Sequence, residues 1–62
     1  MDYQKWFNVE LKPISADLFR DFLRKNSIRF ETSGSYNLVH FEIFIRDVND
    51  YILCKSFLTF LP

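Results

Sequence analysis

LVHFEIFIR, residues 38–46, reads as the strongest strand of this chain. Val39, Phe41, Ile43 and Ile45 fall on one face, and Leu38, His40, Glu42, Phe44 and Arg46 on the other. Successive side chains of a strand point to opposite sides, so this period of two marks one face for a core and one for the outside. Such a strand needs neighbours on its edges and a cover on its apolar face, and the flanking sequence offers both.

Upstream, Ser33-Gly34-Ser35 holds the one glycine of the chain and reads as a hairpin turn. Ile28 to Thr32 precedes it as a partner strand, with Ile28, Phe30 and Thr32 inward and Arg29 and Glu31 outward. Farther back, Asp2 to Lys12 alternates as well. Tyr3, Phe7, Val9 and Leu11 share one face; Gln4, Trp6, Asn8, Glu10 and Lys12 share the other. Pro13 ends that strand because it has no N–H to donate.

Two helices supply the cover. Ser15 has the character of an N-cap, Asp17 suits the first turn, and Ile14 and Phe19 have the spacing of a hydrophobic staple. Leu18, Phe19, Phe22 and Leu23 then form an apolar stripe, and Asp21 and Lys25 an i,i+4 ion pair. Asn26 is a candidate for the left-handed cap that ends the helix. After the long strand, Asp47 or Asn49 is expected to cap a second helix running to about Leu61. Val48, Tyr51, Cys54, Phe57, Leu58 and Leu61 make its core side, while Ile52, Leu53 and Phe60 widen the apolar arc beyond one stripe. A fourth strand over Ser56–Leu61 is the competing reading of that end.

The expected order is therefore β-α-β-β-α in one α+β domain spanning residues 1–62: a two-layer sandwich whose three-stranded sheet carries both helices on one face. The third strand sits between the other two. A right-handed β-α-β unit followed by a hairpin is similar to the first half of a ferredoxin-like arrangement. Fold alone assigns no function.

Composition narrows the function classes. Twelve of 62 residues are aromatic, so much ring surface has to be buried in a core or against a partner. In a chain this small, burial and conformational entropy nearly cancel, and oligomerisation or docking on a larger protein commonly supplies the margin. A lone Cys54 forms no internal disulfide, and no Cys, His and carboxylate cluster points to a metal or other cofactor. Eight basic and eight acidic residues leave no net charge, where nucleic-acid binders concentrate a basic excess. With Asp2, Lys5 and Asn8 interrupting the N-terminus, and Tyr51–Leu61 short and carrying Lys55, neither an export signal nor a membrane span is expected, and the cytoplasm is the expected compartment.

Catalysis is not expected. His40 and Cys54, the one histidine and the one cysteine, belong to opposite sides of the sheet, too far apart for a nucleophilic pair. The expectation is a small non-enzymatic binding module, an inhibitor or adaptor of a larger protein of the kind that phages and other mobile elements encode. Trp6, Phe44 and His40 would supply contact area on the face away from the helices, and Arg29, Glu31, Glu42 and Arg46 would set orientation. Ile52, Leu53 and Phe60 are candidates for self-association into a homodimer. The alternative is a sheet that stacks single-stranded nucleic acid on Trp6 and Phe44, against which Glu10, Glu31 and Glu42 would repel phosphate.

Overall fold

A computed structural model of the chain describes residues 6–61. In chain order the elements are β1 (Trp6–Leu11), α1 (Pro13–Lys25), β2 (Phe30–Ser35), β3 (Leu38–Phe44) and α2 (Val48–Leu58). Among the described residues the strands form a three-stranded sheet in the order β1-β3-β2, with β3 antiparallel to both neighbours. β1 and β2 thus run parallel to one another with β3 between them, as the β-α-β-β-α reading requires. The expected start of β1, Asp2–Lys5, lies outside the described residues.

The core sits between the sheet and the helices. Phe7, Val9, Leu11, Phe30, Val39, Phe41 and Ile43 face it from the strands. Phe19 of α1 meets Phe41 edge-on at 5.2 Å, and Tyr51 of α2 meets Phe7 at 5.5 Å, so both helices cover the same side. Between the helices, Phe22 stacks on Phe57 at 4.1 Å with 10° between the rings, and Phe19 flanks both at about 6 Å. These rings join α1 to α2.

Helix α1 begins two residues before the expected Ser15 cap. Pro13 occupies the first helical position, where its fixed φ suits the helix and its missing N–H is no loss. Lys12 takes the cap position without a side-chain cap, and Ala16 N–H donates to Lys12 C=O at 2.8 Å. Ser15 is consequently buried inside the first turn, Asp17 moves past it to pair with Arg20 at 2.9 Å, and Ile14 is exposed, so no staple forms. Ala16, Phe19 and Leu23 are the buried stripe with Phe22 half-buried, and Leu18 is exposed. The Asp21–Lys25 pair is present at 3.2 Å.

At its C-terminus the left-handed residue is Ser27 (φ 56°), not Asn26. Ser27 N–H donates to Arg24 C=O and Ile28 N–H to Leu23 C=O, the two bonds of a Schellman motif, with Ile28 and Leu23 both in the core. Asn26 contributes its side chain instead, donating to Phe22 C=O at 2.9 Å.

The hairpin turn is Tyr36-Asn37, and Ser33-Gly34-Ser35 continues β2 in unbroken register with β3. Gly34 is needed within the strand: its φ is +109°, and a Cβ there would stand 2.6 Å from Leu38 O. Thr32 lies on the helix side as expected yet is exposed, because every residue from Glu31 to Leu38 is exposed. β3 stops at Phe44, two residues early, although Ile45 stays buried.

Asp47 caps α2, its carboxylate accepting from Asp50 N–H at 3.1 Å. The helix ends at Leu58, followed by a turn at Thr59-Phe60, and Ser56–Leu58 is helical, so no fourth strand forms over Ser56–Leu61 among the described residues. Val48 and Tyr51, expected in the core, are exposed. Asp50 and Cys54 are its buried positions, with Phe57, Leu58 and Leu61 half-buried. No described helix is long and apolar enough to cross a membrane.

Candidate protein-binding surface

The side of the sheet away from the helices is built row by row from the strand register. At one end Trp6 stands opposite Phe44, and their rings meet edge-to-face with centroids 5.4 Å apart and 66° between planes. Phe44 N–H donates to Arg29 C=O, which turns its backbone toward β2 and leaves Trp6–Phe44 a non-hydrogen-bonded pair, the kind whose side chains approach most closely. Trp6 is 41% exposed despite this contact, and Phe44 is half-buried. Arg29 flanks the pair from the chain just before β2.

The next row is Asn8, Glu42 and Glu31. Glu31 and Glu42 are directly opposite, both exposed, and neither forms an ion pair among the described residues. Like charges in that position oppose the pairing that holds them. Beyond them Glu10 stands opposite His40, with Oε2 3.6 Å from Nδ1, too long for a hydrogen bond and close enough to attract an imidazolium. The face ends at Leu38 opposite Ser35.

The structure therefore brings Trp6, Phe44, Glu31, Glu42 and His40 onto one sheet face with Arg29 at its margin, and separates Arg46 from them. Arg46 turns to the start of α2, where Nε reaches Asp50 Oδ2 at 2.7 Å, Nη2 reaches Oδ1 at 3.0 Å, and the backbone N–H reaches Oδ2 at 3.0 Å. These bonds, the side-chain ones foremost, hold the Asp50 carboxyl below its ordinary range, although burial alone would raise it. A guanidinium so engaged is a structural clasp rather than a free contact group.

A second apolar surface lies on α2 and the turn after it, where Ile52, Leu53 and Phe60 are all exposed, Phe60 by 83%. Sequence reasoning missed Tyr36, which is 92% exposed at the hairpin tip. Its neighbours Ser35 and Asn37, joined at 2.6 Å, are turn-forming residues that mark the position.

Reactive groups are kept apart. Cys54 is fully buried on the core side of α2, and burial, with a further contribution from the Asp50 charge, pushes its thiol up to about 11. It stays protonated at neutral pH. His40 is on the opposite side of the sheet. Among the described residues no group of three His, Cys, Asp or Glu side chains could hold a metal ion. Comparison with family models, with curated proteins and with solved structures gives no match for this chain.

Proposed function

We propose that this chain is a small non-enzymatic binding module that uses its open sheet face to occupy a surface on a larger protein, as an inhibitor or adaptor. The observation that carries the reading is the Trp6–Phe44 pair, two rings packed on each other on the side of the sheet that neither helix covers. Aromatic anchors of this kind supply contact area with little side-chain entropy to lose, and such residues dominate binding energy at protein interfaces. Around them Arg29, Glu31 and Glu42 offer charges of both signs that select an orientation, and His40 adds a polar ring.

The unpaired Glu31–Glu42 row argues against a nucleic-acid platform, since phosphates would approach two carboxylates beside the rings. Ile52, Leu53 and Phe60 form a separate exposed apolar surface on α2 and the turn after it. The experiment is affinity capture from the native cell with wild type and the double variant Trp6→Ala, Phe44→Ala, read by mass spectrometry. A partner retained by wild type and lost with the variant, whose circular dichroism spectrum remains that of the folded chain, supports the reading. Retention of the same partner by the variant overturns it.

A further inference from the structure

We propose that two copies of this chain pair through the outer edge of β2, antiparallel and centred on Ser33, to give one continuous six-stranded sheet. The inference is independent of the open-face reading, because β2 lies at the opposite edge of the sheet from Trp6.

The two sheet edges differ. On the helix side of β1, Phe7 packs against Tyr51 of α2 and Lys55 Nζ sits 5.9 Å from the Phe7 ring, and Lys12 and Pro13 follow the strand directly. Lysine and proline are devices that keep edge strands from pairing. β2 carries neither. From Phe30 to Leu38 there is no Lys, Arg or Pro, the register with β3 has no bulge, and both faces are open from Glu31 onward.

The free backbone groups follow from one bond. Phe44 N–H to Arg29 C=O marks that pair as hydrogen-bonded, and hydrogen-bonded pairs alternate along an antiparallel ladder. Glu31, Ser33 and Ser35 therefore direct their backbone groups to β3, while Phe30, Thr32 and Gly34 direct theirs outward. A two-fold pairing centred on Ser33 sets Thr32 opposite Gly34 of the second copy, so outward groups meet outward groups. It also sets Glu31 opposite Ser35, whereas centring on Glu31 would oppose two carboxylates.

The same register brings the Tyr36 tip of each hairpin beside the half-buried Phe30 of the other copy. Burying both tyrosine rings contributes roughly 300–500 Å², and the paired strands bring the total toward the lower bound of about 1,000 Å² for a specific interface. Two-fold pairing is closed, so it yields a dimer and not a fibre. The absence of net charge adds no long-range repulsion between copies.

The test is sedimentation of the purified full chain from micromolar to millimolar concentration, with three variants. Wild type should pass from the 7.5 kDa monomer to twice that mass. Thr32→Pro removes an outward N–H that the hairpin does not use, so the variant should keep its circular dichroism spectrum and remain monomeric. Ser33→Cys should form an intermolecular disulfide on mild oxidation, since Cys54 is buried and two centred residues would face each other in a close non-hydrogen-bonded pair. Leu53→Asp should still dimerise. A wild-type chain that stays monomeric at millimolar concentration overturns the proposal. So does a dimer that Leu53→Asp dissolves and Thr32→Pro does not, and so does a Ser33→Cys variant that fails to cross-link.

Discussion

Arg46 and Asp50, four residues apart, are joined by three hydrogen bonds across the boundary between β3 and α2. One carboxylate satisfies the guanidinium and a backbone N–H at the point where the chain leaves the sheet, while Asp47 caps the same helix from the other side of the turn. Asp50 is nearly buried and Arg46 half exposed, so the pair is anchored on the carboxylate.

The first prediction concerns acid stability. The Asp50 carboxyl is depressed in the folded state, so its contribution is fully present above the unfolded value of about 3.9. It is lost as pH falls through the lower folded value, because the protonated acid no longer pairs with Arg46. Asp50→Asn should cost about 2 kcal/mol at pH 7, or roughly 10 °C in melting temperature. The gap between variant and wild type should close below pH 4. A gap that persists unchanged into acid would contradict the assignment.

A second prediction separates core rings from surface rings on one helix and the turn after it. Phe57→Ala removes the ring stacked on Phe22 and should cost about 3 kcal/mol in chemical denaturation. Phe60→Ala, three residues on, should stay within about 0.5 kcal/mol of the folded chain's stability, because that ring is mostly in solvent. Equal losses would mean that α2 is rotated from the orientation described.

A third concerns the glycine. Gly34→Ala sits at an exposed position where a surface substitution would ordinarily be silent. Here the φ of +109° and the approach of Leu38 O should make it cost about 1–3 kcal/mol. A neutral effect on the melting temperature would show that the hairpin has a different backbone.

The element order, the strand faces and the central place of β3 were legible because period-two alternation is a strong signal: Phe7, Val9, Phe41 and Ile43 all face the core as their spacing implies. Local punctuation was harder to read. Ser15 competed for the cap with Pro13, and the proline's preference for the first helical position won. Gly34 is the usual sign of a turn, yet here it relieves a close approach within the strand, two residues before the turn. On α2 the apolar residues surround the helix, so no stripe distinguished buried Cys54 from exposed Tyr51. For the candidate site, the placing of Trp6 and Phe44 on one face followed from alternation, whereas their direct pairing depended on strand register and the diversion of Arg46 on a buried aspartate, neither of which spacing revealed.

The claim on which the functional account rests is that the helices cover one side of the sheet and leave the tryptophan side open to solvent. Trp6 is the sole tryptophan, so its fluorescence reports that side alone. In the folded chain the emission should be red-shifted and readily quenched by acrylamide, with little further shift on unfolding in denaturant. Blue-shifted emission that resists acrylamide until the chain unfolds would place the indole in the interior and contradict the account.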